Sequence, residues 1–220
     1  MTAAQPVLLD LFCCAGGCSV GYERAGFEVV GVDLIAQPDY PFEFHLANAL
    51  TFPLDGFDVV HASPPCKGIT TLRALARGAA QGELFDPYPD LIGPIRGRLV
   101  ASGLPYVIEN VVGAPLDDPV VYCGSSFGLK VRRHRLFESN VPLVAPPCDH
   151  ASQPVVLGVY GTGGGWTRTA PGGGGTKVSG PAAADALGIC HTVDQRRLSQ
   201  AIPPAYTEHI GRQILAHIGG

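Results

Sequence analysis

Pro6-Val7-Leu8-Leu9-Asp10-Leu11-Phe12 is an apolar run of strand length, and Cys13-Cys14-Ala15-Gly16-Gly17-Cys18 follows it. A helix-like stretch over 19–27 comes next, then Glu28-Val29-Val30-Gly31-Val32-Asp33 as a second strand. Strand, small-residue loop, helix and a strand closing on an acid is the order of a nucleotide-type pocket in a doubly wound sheet. Small side chains let the backbone approach a ligand closely. Asp33 stands roughly 20 residues beyond the loop, where a carboxylate accepts both hydroxyls of a ribose. The glycine loop alone is a common turn; the terminal acid narrows its reading.

The chemistry lies further on, in Phe57-Asp58-Val59-Val60-His61-Ala62-Ser63-Pro64-Pro65-Cys66-Lys67-Gly68. Its first half reads as a buried strand, and two prolines then turn the chain out of the sheet in one defined direction. That places the Cys66 thiol just past the strand's carboxyl end, with Lys67 beside it to favour the thiolate. The same residues also fit a half-buried cysteine in a proline turn. Leu104-Pro105-Tyr106-Val107-Ile108-Glu109-Asn110-Val111 is another strand, and it delivers an acid to the same edge. A thiolate beside a carboxyl group suits covalent attack with proton management; a loop cap or an arginine partner is the plainer reading of Glu109.

Between these elements, a third element over 46–52 brings Asn48, whose amide fits an adenine edge or a surface turn. Residues 67–88 read as a mobile loop, and 91–103 as a helix with Leu91, Ile95 and Leu99 on one face and Gly103 as its stop.

Composition bounds the remainder. With 220 residues, 46% hydrophobic and 15% charged, one domain is expected; Gly 29 and Pro 20 imply many turns. No apolar run is long enough to cross a bilayer, and the first residues lack the basic start of a signal peptide, so a cytoplasmic location is expected. The net charge of −4 argues mildly against a nucleic-acid partner. Its distribution leaves room for one: Lys67, Arg73 and Arg77 follow the thiol, and Lys130-Val131-Arg132-Arg133-His134-Arg135 forms a second basic cluster. The seven cysteines lack paired CxxC spacing, so neither disulfides nor a zinc site is expected. Cys123, Cys148 and Cys190 are read as small apolar fillers.

The ordered set Asp10-Leu11-Phe12 with Gly16-Gly17, Pro64-Pro65-Cys66, Glu109-Asn110-Val111, Arg133-His134-Arg135 and Gln200-Ala201-Ile202-Pro203-Pro204 resembles the cytosine-C5 DNA methyltransferase family. It looks most like the compact members carried by bacteriophages. The resemblance implies a Rossmann-like α/β fold with a mainly parallel sheet of about six or seven strands, acting as a monomer on double-stranded DNA, in the host cytoplasm if phage-encoded. By resemblance, Cys66 adds to C6 of cytosine, Glu109 holds the N3 edge, Arg135 binds the O2 side, and Arg133 supports the site or touches phosphate. Phe12, Gly16, Gly17, Asp33, Leu34, Asn48, Ala49, Pro64, Gln200 and Ala201 would hold S-adenosyl-L-methionine. Lys67, Arg73, Arg77, Arg132 and Trp166 would contact DNA, with the target base everted.

Four positions depart from the family pattern: Cys14 for glycine, Asn48 for aspartate, Lys67 for glutamine, and Val131 for glutamine. Lys67 admits a carboxylated S-adenosyl-L-methionine as cofactor, or a plain phosphate contact. Residues 1–137 read as the core and 186–220 as its closing turn and helix. In that helix Tyr206, Ile210, Ile214 and Ile218 are expected to pack onto the sheet. Residues 138–185 read as a glycine-rich, reduced target-recognition insert that cannot build a second core, so short or relaxed specificity is expected. An RNA-directed relative and a non-catalytic DNA-binding relative are the alternatives.

Overall fold

The computed structural model describes residues 4–65, 90–161 and 175–219. The expected β1 (Val7–Leu11), α1 (Gly17–Ala25), β2 (Glu28–Asp33), β4 (Val59–Ala62), α2 (Ile92–Ser102) and β5 (Tyr106–Val111) are present, with β3 (Glu43–Leu46) between β2 and β4. β6 (Val120–Tyr122), β7 (Arg135–Ser139), the short strands β8 (Leu157–Gly158) and β9 (Thr176–Lys177), α3 (Pro181–Leu187), α4 (Gln195–Gln200) and α5 (Pro204–Ile218) complete it. One sheet of seven strands runs β3-β2-β1-β4-β5-β7-β6, the first five parallel and β7 antiparallel to both its neighbours. This is the mainly parallel, Rossmann-like methyltransferase fold.

Strand order reverses between β1 and β4, which opens a crevice at their carboxyl ends. The alternation of side chains along each strand assigns the faces. Leu8, Val29, Val59 and Val107 join Tyr22, Phe27, Tyr206, Ile210 and Ile214 under α1 and α5. Leu9, Val30, Val60 and Ile108 join Ile95 and Leu99 under α2. Ile218 departs from expectation: it is 38% exposed, because the last turn of α5 runs past the packed part of the helix.

The helix pair α1 and α5 packs at backbone contact. A Cβ on Gly21 would overlap the Pro204 carbonyl and the Thr207 hydroxyl, whereas at Gly97 on α2 it would meet open space. Gly21→Ala is therefore expected to destabilise the protein by about 3 kcal/mol. Gly97→Ala is expected to stabilise it by about 0.5–1 kcal/mol through helix propensity alone. Urea unfolding of both variants checks the pair; equal effects would contradict the close approach.

Two further expectations need correcting. The third element is not over 46–52: the strand is Glu43–Leu46, and 48–52 is a turn in which the Asn48 side chain accepts the Leu50 N–H at 3.0 Å. The insert is also less coreless than its glycines imply. Val131, Val159, Ala183, Leu187, Ile189 and Leu198 form a third apolar cluster, with α3 crossing the expected boundary at 185. The alanine-rich α3 supplies the apolar surface that the glycines lack.

Candidate active site

β4 and β5 are parallel neighbours with Val60 beside Tyr106 and Ala62 beside Ile108, so both deliver their next residues to one edge. Beyond β4 the chain runs through Ser63, Pro64 and Pro65. The Asn110 amide at the end of β5 donates to the Pro64 carbonyl at 3.0 Å, which fixes where the chain leaves the sheet. Cys66, Lys67, Arg73, Arg77 and Trp166 lie outside the described residues, as does the loop expected over 67–88.

Glu109 is buried on β5, and β7 runs antiparallel beside it with Arg135 two residues along from Phe137, Glu109's direct partner. That diagonal puts both side chains on one face, and Arg135 Nε lies 3.2 Å from Glu109 Oε1. Burial raises the Glu109 carboxyl above its ordinary range, opposed by Arg135, by a hydrogen bond from Ser63 and by Arg133. A carboxyl so placed can hold a proton nearer neutrality than a surface glutamate does.

Behind Glu109 lies a polar chain not foreseen from the sequence. His61 is fully buried in β4, its Nδ1 3.0 Å from the Tyr22 hydroxyl and its Nε2 2.9 Å from Ser63 Oγ. Burial drives the ring down to about 3, so it is neutral and carries one proton. If the Ser63 hydroxyl donates to the Glu109 carboxylate, its oxygen takes the Nε2–H, and Nδ1 takes the Tyr22 proton. A titratable ring inside the apolar run Val59-Val60-His61-Ala62 was the available signal, since such a ring requires partners when buried.

Arg133 donates to the Val159 carbonyl at 3.0 Å and the Ser199 carbonyl at 2.7 Å, so it braces the insert against α4. Tyr206 of α5 donates to the carbonyls of Arg132 and Arg133 at 3.1 and 3.0 Å, holding the arginine stretch in register. Arg132 itself reaches Gln153 Oε1 at 3.3 Å.

The other candidates line the edge from β1 to β3. Asp33 accepts the Cys14 N–H at 3.0 Å through one oxygen and the Ile35 N–H at 2.9 Å through the other. Each oxygen keeps a lone pair for a hydroxyl. Gly16 has φ 83°, and a Cβ on Gly17 would overlap the Ile202 carbonyl. The Gln200-Ala201-Ile202 turn thus closes against the first loop, and Cys14 Sγ lies 3.8 Å from Gln200 Oε1. Arg98 of α2 donates to the Ala49 carbonyl at 2.7 Å and to the Phe52 carbonyl, pinning the Asn48 turn. Leu34 and Ile35 are 66% and 70% exposed, an apolar rim at the end of β2 beside that turn.

These features fit an adenosyl group: a carboxylate with spare lone pairs, an apolar rim for a base, and glycine backbone held close. His191 adds a buried Nδ1 without a partner among the described residues, while its Nε2 donates to the Ala15 carbonyl at 2.6 Å. The first-loop thiols are held in the protonated form, which disfavours them as nucleophiles. Burial pushes Cys14 up to about 12, with Asp33 and Asp10 adding to the effect, and raises Cys13 and Cys18 as well. Two of the supposed filler cysteines, Cys148 and Cys190, are exposed, because each sits in an irregular segment outside the sheet.

No family model matches the chain. Type II methyltransferase M.XorII of Xanthomonas oryzae pv. oryzae is 25% identical over 128 residues, which is 50% of this chain and 29% of the relative. The match therefore spans less than a third of that protein. Among solved structures, a chain assigned as a DNA modification methyltransferase, encoded within an E. coli prophage, superposes with TM-score 0.67. It is 15% identical, with 98% of this chain and 100% of that one covered. S. pombe Dnmt2 methyltransferase gives TM-score 0.66 at 11% identity, covering 99% and 100%. The Entamoeba histolytica methyltransferase EhMeth gives 0.62 at 9%, covering 98% and 99%. At these identities the structural likenesses establish the fold.

Proposed function

We propose that this protein is an S-adenosylmethionine-dependent DNA methyltransferase that modifies C5 of cytosine through a covalent bond from Cys66. The observation that carries the reading is the Glu109–Arg135 pair, buried at the sheet edge where Pro64 and Pro65 direct the chain towards Cys66. The relationship to a type II methyltransferase and the prophage-encoded structural neighbour support the substrate class.

Cytosine C5 is a poor nucleophile, so a preceding addition at C6 is needed. The Cys66 thiolate forms the bond to C6 of an everted base, and Glu109 gives its proton to N3 as the ring's electrons shift. Arg135, held by Glu109, faces the O2 side and stabilises negative charge there. Bound S-adenosylmethionine supplies the methyl group that C5 takes. Loss of the C5 proton to a base then breaks the S–C6 bond, returning the thiolate, and N3 gives its proton back to Glu109. On the cofactor side, Asp33 binds ribose, Leu34 with Asn48 and Ala49 borders adenine, and Phe12, Gly16, Gly17, Pro64, Gln200 and Ala201 enclose the remainder. Arg132 and the basic residues after Cys66 meet phosphate.

Tritiated S-adenosylmethionine is incubated with duplex DNA, and the nucleosides are resolved by mass. Methylcytosine is expected, with a covalent trap on 5-fluorocytosine DNA that Cys66→Ser abolishes. Label in transfer RNA instead of DNA, carboxymethylcytosine from a carboxylated cofactor, or no Cys66-dependent adduct would each overturn the reading. Sequencing of treated DNA is expected to return a recognition site shorter than six bases, since few side chains remain to read base edges.

A further inference from the structure

The hairpin that carries Arg135 has a second cluster at its mouth. Cys123 follows β6 and His134 precedes β7, while Cys148 and His150 sit on the segment after β7 that returns across the hairpin. Cys123 Sγ is 3.3 Å from His150 Nε2, and Cys148 Sγ is 3.4 Å from His134 Nε2. The four ligand atoms all lie within 4.8 Å of one another. Around a tetrahedral zinc ion, with Zn–S about 2.3 Å and Zn–N about 2.0–2.1 Å, sulfur and nitrogen ligands stand roughly 3.5 Å apart.

We propose that Cys123, His134, Cys148 and His150 bind one zinc ion as a closed, structural Cys2His2 site. Four soft or borderline donors converging from two separate segments are the tetrahedral S2N2 set that zinc takes. On binding, the two thiols release their protons, and the thiolates cancel the ion's charge while both imidazoles stay neutral. All four positions are filled by protein, so no open position remains for a substrate. This is a different site from the Glu109–Arg135 pair.

The location supplies a reason for the metal. Residues 142–153 are otherwise held by polar clips: the Asp149 N–H donates to Ser125 Oγ at 3.1 Å, Ser126 donates to the Pro147 carbonyl at 2.8 Å, and Gln153 to the Leu129 carbonyl at 2.9 Å. Leu143 and Ala145 pack only partly buried against the main core and Val144 between them is 72% exposed, so burial anchors the segment weakly. His134 lies between Arg133 and Arg135, and Arg133 sits at φ 41°, a left-handed backbone that a fixed neighbour helps to hold. The zinc ion braces the base of the insert against the strand that presents Arg135. The sequence concealed it because only Cys148-Asp149-His150 is a local pair; the other two ligands are distant and unpaired.

The full chain, purified without chelator, is expected to carry about one zinc per molecule by elemental mass spectrometry. Cobalt substitution is expected to give the visible bands of a tetrahedral site with thiolate charge transfer. Cys148→Ser and His150→Ala are expected to fall to near zero metal, while Cys190→Ser, exposed and outside the cluster, keeps it. Cys148→His guards against simple misfolding: it retains cobalt but loses part of the thiolate charge transfer. No uptake of zinc or cobalt by the native chain, unchanged stoichiometry in Cys148→Ser, or a Cys123–Cys148 disulfide in the non-reduced mass would overturn the proposal. Metal content is read without methyl transfer, so this site and the catalytic reading fail independently.

Discussion

Glu109→Gln is expected to slow single-turnover methyl transfer to duplex DNA by about 10²–10³-fold, the usual loss when one aimed donor leaves an electrostatic site. Gln keeps the size of the side chain and can still accept from Ser63, but it cannot pass a proton to N3 as the thiolate adds. It also removes the charge opposite Arg135, whose Nε lies 3.2 Å from the carboxylate. S-adenosylmethionine affinity should be unchanged, because the Glu109 carboxyl is partnered by Arg135 and Ser63 and by none of the residues proposed to hold the cofactor. Trapping by 5-fluorocytosine DNA should slow in parallel with turnover, since the lost proton transfer accompanies addition. Burial raises the Glu109 carboxyl, so the native rate should fall as pH rises through that raised value, and the variant should lack this limb. A variant within tenfold of native, with the same pH profile, would remove Glu109 from the mechanism.

Asp10→Asn is expected to change how stability depends on pH. Asp10 is fully buried on β1, accepts the Ser19 hydroxyl at 2.5 Å, and leaves its other oxygen without a partner among the described residues. Burial pushes its carboxyl up to about 7, against the Ser19 hydrogen bond, with Asp33 and Glu109 adding repulsion. An unfolded aspartate ionises near pH 4, so between there and about pH 7 the native state keeps a proton that the unfolded state has lost. Stability falls as pH rises across that window, by a few kcal/mol in all.

His61 has the opposite sign. Its ring is held down to about 3, while an unfolded histidine titrates near 6.5, so stability rises with pH between those values. The two slopes oppose each other between roughly pH 4 and 6.5, and the native profile should be nearly flat there. Asp10→Asn removes one of them. The variant's stability should climb steeply from pH 4.5 to 6.5, and at pH 8 it should exceed the native protein by a few kcal/mol. Urea unfolding across that range provides the measurement, and a variant curve parallel to the native one would rule out a strongly raised Asp10.

Periodicity carried the fold. The runs Val7–Leu11, Glu28–Asp33, Val59–Ala62 and Tyr106–Val111 are read from their own composition, because a strand covered on both faces must be apolar throughout. Glu43–Leu46 is half exposed at the sheet edge and mixed in character, so no apolar run marks it. Pro204 at the first helical turn and the four-residue spacing from Tyr206 to Ile214 likewise specify α5 locally.

Of the candidate site, the side-by-side placement of β4 and β5 follows from two consecutive parallel strands, and with it the shared edge for Glu109 and the chain leading to Cys66. The partnership of Glu109 with Arg135 depends on β7 inserting antiparallel between β5 and β6, a topology that no run of residues encodes by itself. The Tyr22–His61–Ser63 chain and the convergence of Cys123, His134, Cys148 and His150 belong to the same class. Local sequence determines which segments become strands and helices, because those hydrogen bonds and apolar faces close over a few residues. Only the tertiary structure decides which polar groups meet, because buried charges and thiols take whatever partners the packed strands bring across long separations.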